Sequence, residues 1–350
     1  MYLSFNRSIL LAIAIILGAY SQVRAQSDTK EVAINFEGWV GNEEFVCGES
    51  YEGIGVSEST ITPSDFRFYV SDIALIDEDG NAVPLELKQD GKWQYQNTAL
   101  LDFEDGTNSC DNGTTGVNTM VVGSIPEGDY QGLQFTMGVP EDLNHEDAAI
   151  APSPLNLTSM WWNWQGGYKF LRVELEIEQS ISSVPTTNSN RSGSHNKRDS
   201  VGIENATQTS TQPSIFQNGQ HTQAQASGTN TPQHGDGGHD MQDLKMNHQA
   251  NSNAYLIHLG SSGCSDSAQS NLFECSNPNR VSVMLEDFNP EDNVVVADLA
   301  ELLAESDLST NEANTAMGCM SSPEDSDCQP IMQSLSLSSG DTEQEFFEVK

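Results

Sequence analysis

The chain has 350 residues, with 51 Asp and Glu against 14 Lys and Arg, a formal charge of −37, 36% hydrophobic residues and six Cys. A polyanion of this strength displaces no counterions from phosphates, which excludes a nucleic-acid binder, and the same sign excludes an anionic membrane surface as partner. Hydrophobic content this low predicts that part of the chain stays outside any packed core.

In chain order, Arg7 precedes the apolar run Ile9 to Leu17 and the small-residue end Val23-Arg24-Ala25. A positive start, a short apolar centre and an A-x-A-like end predict a secretory signal over residues 1–25, and the run is too short to span a bilayer. The mature chain is therefore expected in the periplasm or secreted, with no membrane insertion after cleavage. Export makes disulfides the expected state of the Cys. Sequence alone leaves their connectivity open, but short loops favour Cys264 with Cys275 and Cys319 with Cys328, leaving Cys47 for Cys110.

Strand signals come next. Val32, Ile34 and Phe36 alternate with their neighbours, as do Phe66, Phe68 and Val70. Leu171, Val173, Leu175 and Ile177 point one way while Arg172, Glu174, Glu176 and Glu178 point the other, and Val281, Val283 and Leu285 repeat the pattern later. Turns are predicted at Asp79-Gly80-Asn81, Pro126 to Asp129 and Gly166-Gly167. One short helix is predicted near Ala297 to Glu305, where Leu299, Leu302 and Leu303 sit at helical spacing. The fold class is all-β, a mainly antiparallel sandwich or barrel, with this helix in the C-terminal half.

Residues 182 to 252 contain a single aromatic, Phe216, among Ser, Thr, Asn, Gln, Gly and His. Such a composition does not bury enough apolar surface to offset chain entropy, so a disordered insert is expected. Loop closure grows only logarithmically with length, so residues 26–181 and 253–350 are read as one interrupted domain, with two linked domains as the alternative. The insert holds five of the seven His, and His234 to Met241 is read either as a loose metal collector or as a solvated linker.

Catalytic signatures are absent: there is no G-x-S-x-G, H-E-x-x-H, Walker loop or full dinucleotide fingerprint, so no enzyme is expected. Gly53-Ile54-Gly55 reads as a turn, and Asp77 to Gly80 as a tight hairpin rather than a calcium loop. No C-x-x-C occurs, which disfavours zinc. His145 and His258 lie in the segments expected to fold, and two converging imidazoles would suit copper or zinc. Three of the five Trp fall within Met160-Trp161-Trp162-Asn163-Trp164-Gln165, and on an extended chain Trp162 and Trp164 share a face. Such a cluster serves as core, as a carbohydrate or partner platform, or as an oxidisable site.

The segments Phe45-Val46-Cys47-Gly48, Tyr51-Glu52-Gly53-Ile54-Gly55, Asp65 to Ser71, Leu101-Asp102-Phe103-Glu104, Gly138-Val139-Pro140 with Leu143-Asn144-His145, Met160 to Phe170, His258 to Cys264, and Gly318-Cys319-Met320-Ser321 occur in order. Together they resemble the MbnP-like family, the metallo-mystery pair four-Cys proteins with a W-x-W motif. The resemblance implies an exported copper-binding accessory protein working with a di-haem MauG-like peroxidase that oxidises a Trp to kynurenine. It implies Trp162 or Trp164 as the oxidised residue and His145 and His258 as copper ligands, with the kynurenine amine, water or Met160 as a third. The long His-containing insert departs from the family pattern. The competing expectation is a secreted sandwich that binds a sugar or protein through its Trp cluster without metal.

Overall fold

The computed structural model describes residues 28–111, 113–178, 253–266, 273–338 and 343–350. The expected signal segment and the His-containing insert lie outside these residues.

The main strands are β1 (Thr29–Val40), β2 (Ser59–Asp77), β3 (Thr98–Asp102), β4 (Met120–Pro126), β5 (Tyr130–Met137), β6 (Trp161–Asn163), β7 (Gly167–Glu178), β8 (Ala254–Gly260), β9 (Ser262–Asp266), β10 (Phe273–Asn277), β11 (Val281–Glu286), β12 (Val295–Asp298) and β13 (Phe347–Val349). Three short helices accompany them: α1 (Glu141–Asn144), α2 (Leu299–Leu303) and α3 (Cys328–Ser334). The expected helix near Ala297 to Glu305 is α2, capped by the Asp298 carboxylate, which accepts from Ala300 N.

The larger sheet runs β8–β7–β2–β5–β11, with β3 also paired to β2. Its ladders are antiparallel, and β7 meets β8 with Arg172 opposite His258 and Glu176 opposite Ala254. The smaller sheet runs β13–β12–β1–β4, and its one exception to antiparallel order is the parallel pair of β1 with β12, Phe36 opposite Val295. No helix among the described residues is long and apolar enough to cross a membrane.

The two sheets face each other across one apolar layer. Phe36 of β1 meets Phe68 at 6.2 Å and Phe135 at 5.8 Å between ring centroids, and Phe347 meets Phe135 at 5.1 Å. Leu171, Val173 and Leu175 of β7 are buried here, as their alternation requires. Each such side chain removed from water is worth about 1.5–3 kcal/mol. This is the sandwich expected from the pattern of short alternating strands.

The other face of the larger sheet carries a second apolar cluster, Tyr69, Leu100, Leu143, Met160, Tyr168 and Phe170, closed over by the loops between β5 and β6. Beside it the same face holds a polar network. Arg67, fully buried, pairs with Asp65 and stands 3.4 Å from Glu104, while Arg172 reaches Asp65 at 3.2 Å and Glu174 at 2.7 Å. A buried guanidinium requires such partners, because unpaired it would lose its hydration uncompensated.

Three disulfides are present: Cys47–Cys110, Cys264–Cys275 and Cys319–Cys328, the pairing that loop length favoured. The hairpin read at Asp77 to Asn81 is also present, with Asp77 N bonded to Asn81 O and the Asp77 carboxylate accepting from Asp79 and Asn81.

Candidate metal centre

The W-x-W segment forms β6 and the turn into β7, with Trp161 opposite Tyr168 and Asn163 opposite Gly167. The Asn163 side chain ties the turn by accepting from Gln165 N and Gly166 N. Gly167 has φ +72°, and a Cβ there would stand 2.6 Å from Asn144 O, so this corner requires glycine twice over. Asn144 Oδ1 accepts from Tyr168 N, which fixes the end of α1 against the start of β7.

His145 follows directly. Its Nδ1 lies 3.1 Å from the carbonyl of Trp164, which only accepts, so Nδ1 carries the proton and Nε2 the lone pair. Nε2 receives the Asn144 amide at 3.2 Å and lies 3.5 Å from Cys275 Sγ. Phe273 packs on the imidazole at 4.6 Å and on Trp164 at 5.5 Å. Burial pulls the His145 pKa below its ordinary value against the Trp164 carbonyl, which favours the neutral ring at neutral pH.

His258 sits on β8 with its ring on the outer face, since Ile257 and Leu259 turn into the core. Its Nε2 lies 2.9 Å from Glu174 Oε1, and a carboxylate only accepts, so the free lone pair is on Nδ1. Burial lowers the His258 pKa, opposed by the Glu174 bond. Burial pushes Glu174 up, but the bond from His258 and the adjacent Arg172 win and hold it at about 2. Lys169 and Arg172 both donate to Ser159 O, and burial beside Arg172 brings Lys169 down to about 8.

The indole of Trp162 covers Gly260, two residues beyond His258 on the same side of β8: a Cβ at Gly260 would stand 2.7 Å from Trp162 Cζ3. Trp164 instead turns outward and is 57% exposed. The two imidazoles therefore flank the W-x-W hairpin. No hydrogen bond or ring contact joins them, and Asn144, Ser261 and Gly260 lie along the path between them.

One neighbour of His258 escaped the sequence reading. Cys319 pairs with Ile257 in a parallel bridge and is buried in the core, which runs the Met320 backbone alongside the His258 backbone. Ser321 then locks the segment, donating to His258 O and accepting from Gly260 N. Met160, by contrast, is fully buried in the second apolar cluster. The adjacency of Met320 comes from tertiary strand pairing across 62 residues and had no local signal.

His145 Nε2 and the sulfurs of Cys264 and Cys275 lie within 4.8 Å of one another. Those sulfurs are joined as a disulfide and present no thiolate.

A stapled β-sandwich with a Trp hairpin set between two oriented imidazoles defines the class. A family model described as MbnP matches residues 29–232 and 234–321, and the chain belongs to the MbnP family. The solved structure of MbnP from Methylosinus trichosporium is 25% identical, with a TM-score of 0.65, covering 92% of this chain and 98% of that chain. A search of curated proteins gives no match.

Proposed function

We propose that this protein is an exported copper-binding accessory protein, a target of Trp-to-kynurenine oxidation by a di-haem MauG-like peroxidase and not itself an enzyme. The observation that carries this reading is the seat of the Trp162 indole over Gly260, on the face and beside the position of His258. Opening that indole would place an aromatic amine and a ketone beside the imidazole.

The donor chemistry fits copper. His258 offers Nδ1, with its other nitrogen held by a permanent carboxylate, the arrangement that orients imidazole ligands in metal proteins. Met320, whose backbone runs beside that of His258, is the proposed thioether ligand, a soft donor suited to the monovalent ion. His145 is the other imidazole that the resemblance implies, and its Nε2 faces Asn144 and Cys275 across the hairpin. Trp162 is the favoured oxidation site over Trp164 because only its indole lies on the His258 strand. The strong negative charge would draw a partner with a positive face.

The test is co-production of the protein with a di-haem peroxidase partner, followed by intact mass and copper content. Conversion of one Trp, lost in Trp162→Phe and kept in Trp164→Phe, together with one retained copper that His258→Ala abolishes, is expected. Copper-free protein with an unmodified Trp162 peptide would overturn the proposal.

A further inference from the structure

We infer that Cys264–Cys275 is an exchange-active disulfide, and that its reduction opens a second cation site made of His145 Nε2 and the two thiolates. This goes beyond the copper reading: the ion held at His145 is a second one, separate from the copper at His258.

The three disulfides differ in access. Cys47, Cys110, Cys319 and Cys328 are all buried, at 6% exposure or less, whereas Cys275 is only partly buried. Accessible disulfides are the ones that thiols attack, because exchange needs a thiolate to reach one sulfur in line with the other. Cys275 lines an open cleft with His145, Asn277 and Arg280, which gives a small dithiol a way in.

The surroundings hold the sulfurs in place once the bond is cut. Cys264 and Cys275 are directly opposed in the β9–β10 ladder, with Ser262 paired to Asn277 and Ser265 to Glu274 on either side. Gln165 donates to Cys264 O, and Phe273 packs against both His145 and Trp164, so the hairpin is anchored to the W-x-W turn independently of the disulfide. His145 is fixed in turn by the Trp164 carbonyl, with Nε2 aimed at Cys275. Three donors already within 4.8 Å need only small adjustments to reach one ion. Two thiolates and an imidazole form a soft set, suited to Cu(I) or Zn(II) with a fourth position left to solvent.

The step is thiol–disulfide exchange. One thiolate of a dithiol reductant attacks a sulfur of the pair, forming a mixed disulfide and expelling the other Cys as thiolate. The second thiol of the reductant then attacks the mixed disulfide and releases the second Cys. The protein pair gains two electrons, the dithiol loses two and leaves as a disulfide, and protons are exchanged with solvent until a cation replaces them.

The experiment uses the full mature protein. Graded dithiothreitol followed by iodoacetamide and peptide mapping should label Cys264 and Cys275 at a reductant concentration at least tenfold below that needed for the other four Cys. Anaerobic titration of the mildly reduced protein with Cu(I), and in parallel with Zn(II), against a chromophoric chelator should show one more equivalent bound than in the oxidised protein. That equivalent should vanish in the Cys264→Ser/Cys275→Ser variant and in wild-type protein alkylated at this pair. Simultaneous opening of all three disulfides, or no thiol-dependent equivalent of either metal, would overturn the inference. Copper retained by the oxidised protein and lost in His258→Ala reports separately on the proposed function, so either reading can fail alone.

Discussion

Glu174 and His258 are diagonal neighbours across the β7–β8 ladder, with Glu174 Oε1 accepting a hydrogen bond from His258 Nε2 at 2.9 Å. Arg172 holds the same carboxylate oxygen through Nε and Nη2, at 2.9 and 2.7 Å, and also reaches Asp65. The ring of His258 is thus fixed by a chain of charges that ends at fully buried Arg67. Glu174→Gln replaces an obligate acceptor with an amide that also donates, which frees the imidazole to change tautomer. Metal affinity is expected to fall about 10–100-fold with the fold intact. Competition of the co-produced protein against a copper chelator checks this, and unchanged affinity would remove Glu174 from the site.

Asp102 gives a pH prediction. Burial pushes its carboxyl up to about 7, with Thr114 opposing and neighbouring Glu104 adding to the rise. A raised acid pKa means the folded state holds the proton more tightly. Its contribution to stability is therefore full below the unfolded value near 4 and is lost as pH rises through about 7. Urea unfolding of wild type should show stability declining across that window by a few kcal/mol at most, on the order of 1.4 kcal/mol per pH unit. Asp102→Asn should flatten the decline, and parallel curves for the two proteins would contradict it.

Glu174 acts in the opposite direction, at lower pH. Its folded value of about 2 lies below the ordinary carboxylate range, so its stabilisation is present above the unfolded value and lost as pH falls toward 2. Acid unfolding followed by circular dichroism should move to higher pH in Glu174→Gln.

Gly260→Ala tests the contact between the hairpin and β8. The added methyl meets Tyr168 O at 2.4 Å and Trp162 Cζ3 at 2.7 Å, so one of them must move. Overpacking of this kind costs about 1–3 kcal/mol. Trp fluorescence should shift, and the yield of oxidised Trp162 on co-production should drop more than that of folded protein.

Cys47–Cys110 closes a separation of 63 residues and Cys319–Cys328 one of 9. On chain entropy alone the first is worth about 4 kcal/mol and the second about 2.5 kcal/mol. Paired Cys→Ala variants compared by denaturant midpoint should rank in that order.

The sandwich was legible because inner and outer residues alternate cleanly on β1, β2, β7 and β11, and the disulfides because short loops close readily. The polar network was not legible. Asp65, Arg67 and Arg172 occupy alternate positions that read as a solvated face, yet the loops between β5 and β6 cover them, and only tertiary packing decides that. The same limit hid Met320 and the parallel pair of β1 with β12, whose partners lie far apart in sequence. His145 and His258 were visible as the His of the folding segments, and their separate partners, Trp164 O and Glu174, emerged only with the backbone in place. Helix α3, with Pro330 inside its first turn, is too short and too weakly periodic to be read in advance.

Ile177 N bonds to Asn253 O, and Glu176 lies opposite Ala254, so the two chain ends that border residues 179–252 are nearest neighbours at the margin of the larger sheet. Whatever joins them acts on the sandwich as a tether between points already in contact, and doubling its length adds only about 0.6 kcal/mol of closure entropy. That margin is therefore a natural splice point. A two-residue turn, a reporter domain or new termini made by circular permutation could be grafted there without disturbing the face that carries His258 and Trp162.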